Sequence, residues 1–410
     1  MDKLTVRDID VGGKKILVRV DFNVPIDEKT GAITDDSRIQ AALPTIHYLI
    51  DREARVILIS HLGRPQGKVV NELRLTGGAQ RLAQILGQQV GSATDCIGPE
   101  VENSVAAQQM GPVLLLENLR FHSDEETGTP AFAQALARLG DIFVNDAFGT
   151  SHRAHASIAG ITHYLPAVAG FLLEKEVDTL GGILKNPAHP FGGVVGGAKI
   201  SDKVEMLENI MGKVDFLLIG GGMAATFLKA KSYQVGQSRI EADRLDTASR
   251  LIAKADSNGV RLLLPVDVVV VDEITAEATG KVVSVDKIEP QQRIVDIGSQ
   301  TVKNFYEELR QCQTVFWNGP MGIYEIPQFA EGTRAIAKIL AGLKATTIIG
   351  GGSTAEVISE MGLENKVTFV STGGGASLEF LGGQKLPGVE ALLNKNTQVS
   401  GKLKGLNPAR

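Results

Sequence analysis

The chain contains 410 residues, of which 43% are hydrophobic and 22% are charged, and it carries a formal net charge of −5. This length favours two domains of about 200 residues each, and this composition excludes a largely disordered chain. The acidic balance argues against a general nucleic-acid or membrane-surface binder, so any anion site must depend on the local placement of Lys and Arg.

The cysteines and the N-terminus predict a cytoplasmic protein. Cys96 and Cys312 match no metal-binding or redox spacing, which favours two buried or indifferent thiols. The N-terminal segment MDKLTVRDIDVGGKK has no apolar signal core, and no apolar run is long enough to cross a bilayer. A reducing, cytoplasmic location is therefore the expectation.

Short β-branched apolar runs recur along the chain, separated by stretches with helical periodicity. In the first half the predicted strands are KILVRVDF (15–22), RVILIS (55–60), VLLLENL (113–119) and DIFVND (141–146). In the second half they are DFLLIGGG (215–222), RLLLPVD (261–267), TVFWNGP (314–320), TTIIGGG (346–352) and VTFVSTGGG (367–375). Continuous apolar runs suit strands buried on both faces, and their alternation with helices predicts parallel sheets built from βαβ units.

Two segments have clear helical character. DSRIQAALPTIHYLID (36–51) predicts a helix with an Asp or Ser cap at its start. FLLEKEVDTLGGILKNPAHP (171–190) predicts a helix followed by Gly and Pro breakers, which is typical of a connector between domains.

The first-half strands run into cationic segments. These are RVDFNVP (19–25), SHLGRP (60–65), LENLRF (116–121) and NDAFGTSHRAHAS (145–157). Ligands of doubly wound sheets bind beyond the carboxyl ends of the strands, and clustered cations would repel one another without an anion. A phosphorylated or carboxylated substrate is therefore predicted. The His152-x-x-His155 pair has no carboxylate or Cys at ligand spacing, which favours structural or anion-contacting histidines over a metal site.

The second-half strands run into glycine clusters. GGGMAA (220–225) and GGGSTA (350–355) each match the loose dinucleotide pattern G-x-G-x-x-A. The acidic residue that an NAD site requires is missing, because Asp267 is too distant from the first cluster and Ser371 and Thr372 end the strand after the second. Glycine turns before helices still hold phosphates through their amides, so a nucleotide is predicted.

The segment GGAKISDK (196–203) places Lys199 and Lys203 at helical spacing behind a glycine turn. No G-x-x-x-x-G-K-[ST] motif occurs in the sequence, which excludes a P-loop ATPase. Paired lysines at a helix start are ordinarily a solvated surface, but here they could neutralise a transferring phosphoryl group. Two alternatives stay open at this point: a nicotinamide-dependent oxidoreductase, and a two-domain binding protein without turnover.

Taken together, these motifs resemble the phosphoglycerate kinase family over almost the whole chain. The resemblance rests on RVDFNVP, SHLGRP, NDAFGTSHRAHAS, GGAKISDK, GGGMAATFLK, NGPMGIYE and STGGGASLEFL, which occur in the order of that family. It implies an α/β fold of two doubly wound parallel-sheet domains, of Rossmann-like type, joined by a helical hinge. The implied N-terminal domain is 1–170, the hinge 171–190 and the C-terminal domain 191–390, with segment 391–410 returning to the N-terminal domain.

The resemblance also assigns roles to residues. It implies phosphoglycerate binding by Asp21, Asn23, Arg38, His61, Arg64, Arg120 and Arg153. It implies nucleotide binding by Gly196, Gly197, Ala198, Lys199, Lys203, Gly220, Gly221, Gly222, Asn318, Pro320, Ile323, Glu325, Gly350, Gly351, Gly352 and Ser353. The implied catalytic residues are Arg38, Lys199, Gly351 and Gly374.

The implied reaction is the reversible transfer of the acyl phosphate of 1,3-bisphosphoglycerate to ADP, which gives ATP and 3-phosphoglycerate. Such a transfer requires positioning and charge neutralisation rather than a general base, and domain closure would exclude water. Mg²⁺ would arrive with the nucleotide, and the enzyme would be a monomer. Ser353 stands where the family usually has an aspartate associated with that ion, so no direct metal ligand from the protein is expected. The phosphates and water would hold the ion, with Asp202 or Asp267 as candidate helpers.

Overall fold

The computed structural model describes residues 1–27, 29–108 and 112–396, which form two compact units. Unit 1 contains Met1–Asp178 and the described residues from Lys385 onward, and unit 2 contains Thr179–Gln384. Among the described residues, we find no helix with the length and apolar character of a membrane span.

Unit 1 is built on a parallel sheet of six strands. The strands are β1 (Lys15–Arg19), β2 (Arg55–Ile59), β3 (Val90–Ser92), β4 (Val113–Leu115), β5 (Ile142–Asn145) and β6 (Ala167–Ala169). Their order is β3-β4-β2-β1-β5-β6, and every neighbouring pair is parallel. The order reverses at β1, which is the topological switch point where ligands of such sheets bind.

The helices of unit 1 carry apolar residues at helical spacing. In chain order they are α1 (Ser37–Ile50), α2 (Thr76–Leu86), α3 (Pro99–Ala107), α4 (Ser123–Thr127) and α5 (Pro130–Ala137). Helix α1 confirms the predicted helix and buries Ile39, Ile46 and Leu49. Asp36 occupies the predicted N-cap position, but its side chain makes no capping hydrogen bond and instead accepts one from Arg81 Nε at 2.7 Å.

Helix α6 (Phe171–Lys185) occupies the segment predicted to be a helix before Gly and Pro breakers. The division between the two units falls within it, after Asp178. The chain thus passes from unit 1 to unit 2 through a continuous helix.

Unit 2 has a larger parallel sheet and a small antiparallel one. Its strands are β7 (Phe191–Val195), β8 (Phe216–Ile219), β9 (Arg261–Leu263), β10 (Asp267–Val271), β11 (Lys281–Ser284), β12 (Arg293–Ile297), β13 (Thr314–Asn318), β14 (Thr346–Gly350) and β15 (Phe369–Val370). The parallel sheet has the order β15-β14-β13-β7-β8-β9, and the antiparallel sheet has the order β11-β10-β12. Every residue of the central strand β13 is buried, as the continuous apolar run predicts.

The helices of unit 2 complete its core. They are α7 (Val204–Ile210), α8 (Met223–Ala230), α9 (Leu245–Ser257), α10 (Ser299–Leu309), α11 (Glu331–Gly342), α12 (Gly352–Glu360) and α13 (Gly375–Leu381). Two parallel sheets with intervening helices confirm the predicted α/β class with doubly wound domains.

The described C-terminal residues pair with the N-terminus of unit 1. After the short helix α14 (Pro387–Glu390), Leu393 accepts a hydrogen bond from Leu4 N at 2.7 Å and donates one to Ala167 O at 3.0 Å. Lys395 N donates to Asp2 O at 2.9 Å. The predicted return of segment 391–410 also covers 397–410, which lie outside the described residues.

The strand prediction missed several elements. Strand β3 has the sequence VGS and is not fully buried, and β7 contains two glycines, so neither forms a continuous β-branched run. The antiparallel sheet was missed although VDVVVVDE (266–273) is a strong strand signal.

Candidate functional sites

In unit 1, polar side chains follow four neighbouring strands. Asp21 follows β1, His61 follows β2, Arg120 lies in a 3-10 helix after β4, and Arg153 lies beyond β5. Because these strands are parallel and adjacent, their carboxyl ends meet at one edge of the sheet.

Hydrogen bonds hold this edge together. Arg38, in the first turn of α1, donates through Nη1 to Asp21 Oδ2 at 2.9 Å. His61 Nδ1 lies 3.8 Å from the other carboxylate oxygen of Asp21. Asn23 Oδ1 accepts a hydrogen bond from Gly63 N at 2.8 Å, which fixes the loop after β2. The structure therefore brings Asp21, Asn23, Arg38 and His61 together.

Arg120 is only 4% exposed, and two groups fix the position of its guanidinium. Its Nη1 donates to Gly63 O at 2.7 Å, and its Nε lies 3.3 Å from Glu126 Oε1 as an ion pair. Burial lowers the pKa of this guanidinium, and the nearby Glu126 opposes that shift. Arg64 follows Gly63 directly and is exposed.

The pKa of His61 shows how strongly positive this edge is. Burial and then the charges of Arg19, Arg120, Arg38 and Arg153 lower it well below its usual value. His61 is therefore a neutral imidazole at physiological pH. Four guanidiniums close enough to act on one ring form a cluster that can hold a compact polyanion.

The same field acts on His155, which the sequence predicted to be a structural or anion-contacting histidine. Burial and then Arg120, Arg153, Arg19 and His152 lower the pKa of His155 to about 4. Its Nδ1 lies 3.8 Å from Glu125 Oε1. Both histidines are thus neutral, and neither supplies positive charge to this edge.

Sequence analysis included Arg19 in the cationic segment RVDFNVP but assigned it no role, and it missed Glu125. Arg19 is fully buried at the end of β1, donates from Nε to Ser157 Oγ at 3.0 Å, and lies with Nη2 3.2 Å from His61 Nδ1. Glu125 accepts hydrogen bonds from Ser157 N at 2.9 Å and Ser157 Oγ at 2.6 Å, and burial raises its pKa. The available signal was the position of Arg19 directly after the apolar run Ile16–Val18.

In unit 2, three glycine turns approach one another too closely for side chains. They follow β7, β8 and β13. A Cβ on Gly196 would lie 2.1 Å from Pro320 O, and one on Gly221 would lie 2.5 Å from Gly197 N. Gly221 also has a φ of 67°. The glycines therefore let three backbone turns pack directly against one another.

The two lysines of GGAKISDK do not lie on a helix, so that part of the sequence interpretation is wrong. Helix α7 begins at Val204, after both of them. Glu241 instead holds the intervening turn, because its carboxylate accepts hydrogen bonds from Ile200 N and Ser201 Oγ, each at 2.5 Å. Lys199 is half-buried there.

Lys203 is buried, with only 8% of the residue exposed. Its Nζ donates to Asn318 Oδ1 at the end of β13. Burial lowers the pKa of Lys203 to about 8, and Asp202 opposes the shift. An anionic ligand would therefore stabilise this ammonium, because it would replace the hydration that burial removes.

The Asn318 amide also has a buried Nδ2 with no hydrogen-bond partner among the described residues. This donor faces the turn before α12, since a Cβ on Gly351 would lie 3.1 Å from it. A buried unpaired donor is costly, so a ligand oxygen at this position would be stabilising.

A cavity of about 520 Å³ opens beside the glycine turns. Eight of the residues that the family resemblance assigns to nucleotide binding lie in its wall: Gly197, Ala198, Gly221, Gly222, Pro320, Ile323, Glu325 and Ser353. The wall also contains Val268, Val295 and Met321, which make it largely apolar. Strands β10 and β12 of the missed antiparallel sheet form part of it, so sequence analysis missed that side of the cavity.

The other residues of unit 2 that the family resemblance assigns to nucleotide binding or catalysis do not line this cavity. They are Gly196, Lys199, Lys203, Gly220, Asn318, Gly350, Gly351, Gly352 and Gly374. Gly220 and Gly196 nevertheless belong to the interlocked turns, and Gly350–Gly352 lead into α12. Gly374 precedes α13, beyond the next strand of the sheet.

Tyr324 links Ser353 to the carboxylate of Glu356. Tyr324, in the cavity wall, donates from Oη to Glu356 Oε2 at 3.0 Å. Burial raises the pKa of Tyr324, and a hydrogen bond with Ser353 opposes that shift. Asp267, a candidate helper for Mg²⁺ from the sequence, is already engaged, because its carboxylate accepts hydrogen bonds from Gln300 N and Thr301 N at the start of α10.

An arginine cluster in one α/β unit and a glycine-lined cavity beside a buried lysine in the other are features of a phosphotransferase. The family model described as phosphoglycerate kinase matches residues 6–384. The chain belongs to the phosphoglycerate kinase family, and it is an enzyme of the reversible ATP-generating step of glycolysis.

Relatives and solved structures agree with this family. The chain is 53% identical over 395 residues to the phosphoglycerate kinase of Moorella thermoacetica, covering 96% of this chain and 100% of the relative. It is 54% identical over 395 residues to that of Pelotomaculum thermopropionicum, with the same coverage of 96% and 100%. The structure of phosphoglycerate kinase from Coxiella burnetii has a TM-score of 0.83 at 41% identity, covering 95% of this chain and 98% of that one. Membership in the family excludes the oxidoreductase and the binding protein without turnover.

Proposed function

We propose that the arginine cluster of unit 1 binds 3-phosphoglycerate or 1,3-bisphosphoglycerate. The observation that carries this proposal is the set of four guanidiniums that lower the pKa of His61. The carboxylates of Asp21 and Glu126 pair with Arg38 and Arg120, and the charge of Glu125 acts on Arg19 and Arg120. A small polyanion would relieve the repulsion between the guanidiniums, and Arg64 would add a contact from the exposed loop.

The nucleotide occupies the cavity of unit 2 in this proposal. Its base would pack against the apolar wall near Ile323, and its ribose would contact Glu325. Its phosphates would accept hydrogen bonds from the glycine turns, from Lys203 and from Asn318 Nδ2. The buried unpaired Nδ2 supports this placement because it requires an acceptor.

Arg38 and Lys199 then act as catalytic residues. Each would stabilise negative charge on the equatorial oxygens of the transferring phosphoryl group. The backbone amides at Gly351 and Gly374 would donate further hydrogen bonds to it. Gly351 has a φ of 91° and Gly374 a φ of 52°, which favours glycine at both positions. No general base is required, because the attacking phosphate oxygen of ADP is already ionised.

Mg²⁺ is proposed to accompany the nucleotide. The oxygen donors near the start of α12 fit this ion, because Mg²⁺ prefers oxygen ligands and retains several waters. They are the Ser353 hydroxyl, the Tyr324 hydroxyl and the Glu356 carboxylate. Bound to the phosphates, the ion would neutralise their charge, and Glu356 would attract it through water.

A coupled assay tests this proposal. With a downstream dehydrogenase, NADH oxidation should require 3-phosphoglycerate, ATP and Mg²⁺ together, and excess chelator should stop it. Activity that persists after chelation would contradict the proposed role of Mg²⁺.

We also propose a cytoplasmic monomer with a domain 1–170, a hinge 171–190 and a domain 191–390. Sedimentation at several concentrations should give a single species near the chain mass of 43.6 kDa.

A further inference from the structure

Three side chains with different metal-binding atoms converge in unit 1. Asp95 and Cys96 lie in the loop after β3, and His122 precedes α4. A carboxylate oxygen, the thiol sulfur and a ring nitrogen all lie within 4.8 Å of one another. Within the described part of the chain, this is the one such group of three metal-binding residues. None of them belongs to the proposed substrate site.

The three groups are already linked through the Asp95 carboxylate. Its Oδ1 lies 2.7 Å from His122 Nε2 and accepts a hydrogen bond from Cys96 N at 2.6 Å. Cys96 is fully buried, and burial followed by the charge of Asp95 raises the pKa of its thiol well above the usual value. Without a cation the thiol is therefore protonated.

The surroundings fix the orientation of these groups. The His122 ring packs on Phe132, with 5.3 Å between the ring centroids. The carbonyl of Asp95 accepts a hydrogen bond from Glu117 N at 3.3 Å. The Asp95 and His122 side chains are 48% and 28% exposed, so an ion can reach them from solvent.

The separations suit a small tetrahedral ion after minor adjustment. Ligands about 2.0–2.3 Å from Zn²⁺ lie roughly 3.3–3.8 Å from one another in a tetrahedron. The Asp95–His122 pair would open by less than about 1 Å, and the most distant pair would close by about 1 Å. Rotation about side-chain bonds covers such distances.

The charges also balance. A dication, one thiolate, one carboxylate and a neutral imidazole sum to zero, which suits a buried sulfur atom. A coordinated thiol loses its proton to the metal, so the ion would overcome the preference of this site for the protonated thiol. Nitrogen, sulfur and oxygen ligands together favour Zn²⁺ over Mg²⁺ or Ca²⁺.

We propose that Asp95, Cys96 and His122 form a binding site for a thiophilic divalent cation, with Zn²⁺ as the preferred ion. Water completes the tetrahedron on the exposed side. The bound ion ties the loop after β3 to the segment before α4, which carries Arg120 two residues before His122.

Cobalt substitution and zinc competition test the site in the full-length enzyme after chelator treatment. Co²⁺ should bind with one equivalent and give a near-ultraviolet thiolate-to-metal band with intense visible bands of tetrahedral coordination. Zn²⁺, measured against a chromophoric chelator, should also bind with one equivalent and raise the melting temperature of the protein.

The variants separate this site from adventitious binding. Cys96→Ser should remove the thiolate band and weaken Zn²⁺ binding by at least about 100-fold. Cys312→Ser is the matched control, because Cys312 is also buried but belongs to unit 2, and it should bind as wild type does. If Cys96→Ser folds poorly, Asp95→Asn should weaken Zn²⁺ binding without loss of fold, since its side chain is half exposed. A wild-type protein with no thiolate band, or unchanged Zn²⁺ affinity in Cys96→Ser or Asp95→Asn, would overturn the proposal.

Discussion

Lys203 Nζ donates a hydrogen bond to Oδ1 of the Asn318 side chain, and both residues are buried. This pairing orients the amide so that its Nδ2 faces the turn before α12 without a partner among the described residues. One lysine thus supplies positive charge and also fixes the direction of a second donor. The amide orientation follows from the charge, because an ammonium can only donate.

The pH dependence of ADP binding should report the titration of Lys203. Its pKa of about 8 means that the ammonium is present below pH 8 and is lost as the pH rises through that value. A charge-assisted hydrogen bond contributes about 1.5–3 kcal/mol, so the Kd for ADP should increase roughly 10- to 100-fold at high pH. Calorimetry between pH 6.5 and pH 9.5 measures this change.

Lys203→Met serves as the control for that titration. Its ADP affinity should be weak and nearly constant over the same pH range. If the variant retained the wild-type pH profile, another group would be responsible.

Arg38→Ala and Lys199→Ala should each lower kcat far more than they weaken the binding of either substrate. Loss of one cation that stabilises the transition state costs about 3–4 kcal/mol, which is two to three decades in rate. Arg138→Ala, which removes an exposed arginine at the end of α5, should leave kcat unchanged. Steady-state kinetics with both substrates varied separates kcat from KM. Near-native kcat in both site variants would contradict their assigned roles.

Replacement of Ser353 and Glu356 should change the requirement for Mg²⁺ in opposite directions. Ser353→Asp adds a carboxylate near the proposed phosphate position and should lower the Mg²⁺ concentration that gives half-maximal activity. Glu356→Gln removes the carboxylate that accepts from Tyr324 and should raise it. Paramagnetic resonance of free Mn²⁺ with ADP present gives a binding readout independent of turnover. Superimposed Mn²⁺ titrations for all three proteins would show that neither position contributes.

Sequence patterns predicted the parallel sheets because continuous apolar runs and intervening helices report burial on both faces. They predicted less well where a residue acts through distant partners. Glu241 holds the turn between Lys199 and Lys203 from about 40 positions away, and nothing in its local sequence indicates that role. Arg19 received no role because its contacts are with Ser157 and His61, which only the folded sheet brings near it.

The cavity of unit 2 was also only partly predictable, because its wall combines segments that are distant in the sequence. The glycine turns were found in the sequence because glycine is needed where backbones meet. The apolar wall from β10 and β12 was missed, since a β-branched run shows that a strand exists but not which ligand it faces.

The proposed function assigns the acid to unit 1 and the nucleotide to unit 2. Calorimetric titration of 3-phosphoglycerate and of ADP into wild type, Arg64→Ala and Glu325→Ala tests it most directly, because both side chains are exposed and their loss should not disturb the fold. Arg64→Ala should weaken 3-phosphoglycerate binding about tenfold or more, increasingly so at low salt, and leave ADP binding unchanged. Glu325→Ala should weaken only ADP binding. Equal loss of both ligands in either variant, or the reverse pattern, would contradict the division into two sites.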